Sequence, residues 1–167
     1  MHNKIYRHKV IRINYTTYDM RRAQDSLNPR NQANIMVLAN EPDDGADGGS
    51  TSTTRDPYWY ARVLGIFHVN VRRSDQAKHH QVDFLWVRWL RRDDAFRSGF
   101  LARRLHRVEF LDEHDPEAFG FVDPDDVIRG VHLIPAFAHG RHEGASPMSL
   151  TNPTPSPADW NYYYVNM

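Results

Sequence analysis

The chain has 167 residues, a length that suits one domain and is short for two. Its 21 Lys+Arg and 21 Asp+Glu cancel, so the basic excess of a dedicated DNA-binding domain is missing and any phosphate contact must come from a local patch. With no cysteine, disulfide staples, thiolate nucleophiles and cysteine-ligated zinc are excluded. No apolar run approaches the roughly 20 residues of a membrane helix, and the N-terminus MHNKIYRHKV lacks an apolar signal core. The sequence therefore reads as an intracellular protein with no membrane partner.

In chain order, residues 4–19 are rich in β-branched and aromatic side chains and predict strand. Residues 19–32 are polar, with a turn at Asn28-Pro29 and a weak helix start at Asp19. ANIMVLA at 33–39 predicts a short buried strand. Residues 40–57 are small, acidic and turn-forming, and predict a disordered loop, because they cannot bury enough apolar area to offset their ordering entropy.

Residues 58–71 alternate as a strand. Simple parity puts Trp59, Ala61, Val63, Gly65, Phe67, Val69 and Val71 on a core face. It puts Tyr58, Tyr60, Arg62, Leu64, Ile66, His68 and Asn70 on a reachable one. A polar connection at 72–80 leads to a second strand at 81–92. There Leu85, Val87 and Trp89 oppose Phe84, Trp86 and Leu90, as in a central or barrel strand. Residues 93–104 are charged and predict a short helix or an irregular excursion. In LHRVEFL, Leu105, Arg107, Glu109 and Leu111 alternate with His106, Val108 and Phe110. DEHDPEAFGFVDP reads as a loop, 123–129 as a turn or helix start, and 131–137 as strand. Residues 138–158 predict a second disordered loop, and DWNYYYVNM a closing aromatic strand. The sum is a mostly β chain, one domain over 1–167, folded as a small, partly open barrel with long loops and at most short helices.

Four pieces in order resemble the bromo-adjacent homology domain, an SH3-like barrel with long insertions. They are Tyr58–Ile66 (YWYARVLGI), Val87–Arg92 (VRWLRR), Arg107–Phe110 (RVEF) and Val127–Leu133 (VIRGVHL). The longer strings INYTTYDMRRAQDSLNPR, YWYARVLGIFHVNV, FLWVRW, AFGFVDPDDVIRGVHLIPAF and DWNYYYVN resemble the C-terminal region of proteins encoded by fungal DNA transposons of the Plavaka and Kyakuja-Dileera-Zisupton groups. That resemblance covers nearly the whole chain. It implies a nuclear piece of a larger, transposase-type polypeptide whose catalytic carboxylates lie upstream.

Three kinds of binding residue are candidates. An aromatic cage for a methylated lysine of a histone-like peptide, held by cation–π attraction, could draw on Tyr58, Tyr60, Trp86, Trp89 and Asp93 (or Asp94). The competing reading is that these rings are packing. A basic group of Arg88, Arg91, Arg92, Arg97, Arg103, Arg104 and Arg107, with tryptophans interleaved, could contact a nucleic-acid backbone. The alternative is a solvated face paired with Asp93, Asp94, Glu109, Asp112 and Glu113. The histidines and acid of HGRHE (His139, His142, Glu143) and the pair His79-His80 could ligate metal only on a helix, which the local Gly and Pro oppose. Asp123, Asp125 and Asp126 fit a turn and helix start better than acid–base chemistry. No phosphate loop, nucleophile motif or cofactor-binding motif is present. The expected function is thus a non-catalytic interaction module for a protein or chromatin partner. An accessory nucleic-acid-binding domain is the alternative, and a metal-dependent nuclease or hydrolase a distant third.

Overall fold

Two long strands organise the computed structural model, which describes residues 4–17, 19–31, 33–38, 58–72, 79–99, 102–141 and 160–167. The strands in chain order are β1 (Ile5–His8), β2 (Ile11–Thr16), β3 (Arg22–Leu27), β4 (Asn34–Leu38), β5 (Tyr58–Val71), β6 (His80–Arg92), β7 (Arg107–Phe110), β8 (Phe119–Val122), β9 (Val127–Pro135) and β10 (Tyr163–Asn166). Single 3-10 turns lie at Pro124–Asp126 and Phe137–His139. Every pairing is antiparallel, and the pairings run β5–β4–β9–β10–β7–β6 and back to β5. The result is a mostly β, partly open barrel, thinnest at the β7–β10 seam, where two residue pairs are matched. β1 and β8 extend the sheet outside this circuit, on the free edges of β5 and β6. No helix among the described residues is long and apolar enough to cross a membrane.

The barrel wall is apolar on both sides, which produces two cores. Met36, Tyr60, Leu90, Val108, Val131, Leu133, Tyr163 and Val165 fill the interior. On the outer face of β4, β5 and β6, Ile35, Val37, Ala61, Val63, Ile66, Leu85 and Val87 form a second cluster, which Ile13 and Leu27 of the β2–β3 hairpin cover. Asp25 ties that hairpin down by accepting the Gly130 backbone N–H at 2.9 Å. The continuous apolar run of β4 is explained: alternate side chains enter different cores, so Ala33 to Val37 are all buried, as its sequence predicts.

Several expectations need correction. The parity of β5 reverses at a bulge between Val63 and Gly65, where β6 advances only from Val87 to Trp86. Ile66, assigned to the reachable face, is therefore buried in the outer core, while Phe67 leaves it. Trp59, assigned to the core, is 47% exposed, and Tyr60, assigned to the reachable face, is 2% exposed. That second error has a different cause: the face judged reachable is the inside of the barrel. Residues 19–32 hold strand β3, whose Ala23, Asp25 and Leu27 turn toward the protein, and no helix. The stretch read as a loop before Asp123 contains β8. Residues 93–99 and 102–104 form turns and a bridge, the irregular excursion rather than a helix. Expected disorder at 40–57, and at 142–158 of the second loop, falls outside the described residues.

Candidate functional site

Among the described residues, the densest grouping of cationic and aromatic side chains lies outside the barrel, where β7 and β10 meet. Arg107 and Tyr164 are cross-strand partners, so both side chains point outward from the same place. The excursion after β6 folds back onto them. The Asp93 N–H donates to the Arg107 carbonyl, the Asp93 carboxylate accepts the Ala95 N–H, and a bridge joins Gly99 to Arg104. This closure brings Phe96 to 4.2 Å from the Arg107 guanidinium and 5.9 Å from the Tyr164 ring. The Arg104 guanidinium stands 5.9 Å from the same Phe96 ring.

Arg107 is the hub. Its Nε donates to Asp93 at 2.8 Å, its Nη1 donates to His139 Nε2 at 2.9 Å, and its guanidinium lies 4.8 Å from the Tyr162 ring. Burial alone would lower its pKa. The hydrogen bonds and charge of Asp93, helped by the Tyr164 hydroxyl, outweigh that and hold it above the ordinary arginine value. Farther along, Arg141 sits 4.9 Å over Trp160, and Phe137 meets Trp160 edge-on at 4.8 Å while remaining 67% exposed. His139 packs edge-on against Tyr162 at 5.3 Å, which joins the two groups into one wall.

Charge on this wall is one-sided. Arg97, Arg103, Arg104 and Arg141 are exposed and make no salt bridge among the described residues, while of the two carboxylates of the excursion Asp93 is held by Arg107 at 2.5 Å and Asp94 lies 3.7 Å from Arg92. Guanidinium planes stacked on rings present flat, cationic, hydrogen-bonding surfaces. Such surfaces can take phosphate oxygens at their edges and bases on their faces.

The expected basic group is only partly gathered here. Arg103, Arg104, Arg107 and Arg97 belong to the wall. Arg91 is tied to Glu109 at 2.6 Å, and that hydrogen bond, then the charge of Glu109, raises its pKa. Arg92 is 3.7 Å from Asp94. Arg88 points into the barrel, buried, donating to the Leu111 carbonyl at 2.9 Å and lying over Phe110 from one side while Arg62 approaches the same ring. It is interior structure, not surface.

The five cage candidates are not brought together. Tyr60 is barrel core and Tyr58 packs beside it. Trp89 lies on the opposite face of the sheet, against the outer core, edge-on to Trp59 at 5.6 Å and over Gly120, where a Cβ would come within 2.6 Å of the indole nitrogen. Trp86 pairs with Phe119 at 6.1 Å, and Asp93 belongs to Arg107. Of the metal candidates, His139 accepts from Arg107, His142 and Glu143 lie outside the described residues, and no group of three or more potential ligands occurs among those described. Asp123 caps the Pro124–Asp126 turn through the Asp125 N–H, as its sequence context predicts.

Phe96, Phe137, Arg141, Trp160, Tyr162 and Tyr164 were not singled out by sequence. The usable signal was the alternation in WNYYYV, which sends Tyr162 and Tyr164 opposite Tyr163. A separate cleft of about 530 Å³ lies between His8, Ile66, Asp83, Asp123 and Asp125, and its carboxylates are exposed. No protein-family model matches the chain, and no match was found among curated proteins or solved structures.

Proposed function

We propose that this chain is a non-catalytic accessory module that binds single-stranded nucleic acid along the wall formed by the 93–107 excursion, the Phe137–Arg141 segment and the start of β10. The observation that carries the reading is the alternation Arg104–Phe96–Arg107–Tyr162, continued by Arg141–Trp160–Phe137, with Asp93 already paired to Arg107 and Asp94 to Arg92. Single strands suit such a surface because their bases are free to stack, at about 1–3 kcal/mol per base. The overall neutrality of the chain limits affinity to a local patch, which agrees with an accessory role rather than a principal DNA-binding domain. The resemblance to transposon-encoded proteins supports the same setting, a nuclear polypeptide that works on nucleic acid. The peptide-cage reading is weaker, since Tyr60 and Trp89 face opposite ways across the sheet.

The test is fluorescence anisotropy with a labelled oligothymidylate and with a duplex of equal length. If about four phosphates are neutralised, a fourfold rise in salt weakens binding about 50-fold, from a slope of roughly −0.7 per contact. The pair Arg104→Glu and Arg141→Glu is expected to abolish that salt dependence, and the duplex is expected to bind more weakly. Absence of binding at low salt, or a double variant that binds like the parent, sinks the proposal.

A further inference from the structure

β5 and β6 run beyond the barrel as an arm, flanked by β1 on one edge and β8 on the other. Cross-strand partners share a face, and past the bulge the pairs Ile5–Val69–Val82, Phe67–Phe84, Val71–His80 and Trp86–Phe121 all point the same way. Phe67 and Phe84 stack at 5.5 Å, and Phe121 closes on Phe84 edge-on at 5.6 Å. Neither core contains any of these side chains. Four of them are open to solvent: Phe121 is 72% exposed, Ile5 66%, Val82 44% and Val71 40%. The opposite face of the same arm carries Tyr6, His8, His68, Gln81 and Asp83, and its inner part is covered by the β2–β3 hairpin.

We infer that this aromatic face of the arm is a self-association surface, where a second copy of the chain packs face to face about a twofold axis. Its area argues for a real contact. The four exposed residues alone offer roughly 400 Å² of apolar surface, within the range of about 300–600 Å² at which a monomer's largest patch is often functional. Doubled by symmetry and joined by the half-buried rings and a polar rim, it reaches the lower end, about 1,200 Å², of specific interfaces, so the dimer is reversible rather than obligate. Its charge permits a like partner. Among the described residues Arg7 and His80 are the titratable groups on this face, neither of them a carboxylate that would select a cationic ligand, and a net charge of zero keeps the overall repulsion between copies small. The inference is independent of the nucleic-acid wall, which lies on other elements.

Sedimentation equilibrium of the full chain over a micromolar to millimolar range tests it. The expected result is a reversible monomer–dimer equilibrium that Phe121→Asp on β8 and Ile5→Asp on β1 each weaken at least tenfold, with unchanged circular dichroism. Both positions are more than half exposed, so each variant keeps the fold, and two sites on different strands guard against one local failure. A parent that stays monomeric across the range overturns the inference and leaves the face to an unlike partner. A dimer indifferent to both substitutions overturns it as well, because another surface then holds the copies together.

Discussion

The same two strands behave differently at their two ends. Near the barrel, β5 and β6 bury both faces: Tyr60 and Leu90 inside, Ala61, Val63, Leu85 and Val87 outside. In the arm only the base of one face is covered, at Ile66, and Phe67, Phe84 and Val82 lie outside either core. Composition does not separate the ends, since both are rich in aromatic and β-branched residues. What differs is the neighbour. β4, β9 and β10 complete a lining around the first half, whereas β1 and β8 only widen the sheet around the second. Aromatic content in a strand thus reports that a surface is to be covered, and the topology decides whether the cover comes from the same chain.

Substitutions at matched positions put that contrast to the test. The largest loss is expected for Tyr60→Ala, about 3–5 kcal/mol by analogy with other large aromatics, with Leu85→Ala at roughly 2–5 kcal/mol. Phe84→Ala, the residue beside Leu85, is expected to cost clearly less, about 1–2 kcal/mol from a lost ring pair and partial burial. Urea unfolding of the three would expose the contrast as false if Phe84 ranked with Leu85. Next in size is Gly65→Ala, where the new Cβ would lie 2.3 Å from Cε2 of Phe67. A cost of about 1–3 kcal/mol is expected. Adding Phe67→Ala should recover most of it, so additive losses in the double variant would show that backbone strain, not the ring, is responsible. In the wall, Arg107→Gln leaves Asp93, with 11% of its side chain exposed, short of its partner. The expected loss is about 1–3 kcal/mol, readable as a lower melting temperature. Arg91→Ala is the smallest, under about 1 kcal/mol, because its pair with Glu109 is solvated and Arg91 is 65% exposed. A larger thermal shift there would mean that the outer arginines do structural work.

Much of the architecture was legible because strand patterns are local. The segment 58–71 was bounded as β5 from alternation, and ANIMVLA was read as buried from its length and flanks. Two kinds of information were not local. β8 is only four residues long and β3 holds few apolar residues, and both become strands because β6 and β2 supply the hydrogen bonds. The wall draws on segments near 96, 107, 139 and 162, which only the β7–β10 register brings together. Sequence grouped the arginines from 88 to 107 together and could not separate Arg104, which is open, from Arg88, which lies inside the barrel. Gly65 in mid-strand did carry a hint, since glycine in a strand often marks a bulge or a close approach, and here it marks both.

The bulge also makes this strand unevenly sensitive to changes of length. Leu64 is the extra residue opposite the Val87–Trp86 step, so loss of its single codon would excise the bulge and leave Val63, Gly65, Ile66 and Phe67 opposite the partners they already have. Loss of one residue a little farther on, such as Phe67, would instead exchange the two sides of everything beyond it. Related chains should accordingly tolerate a gap at position 64 better than a gap a few residues later.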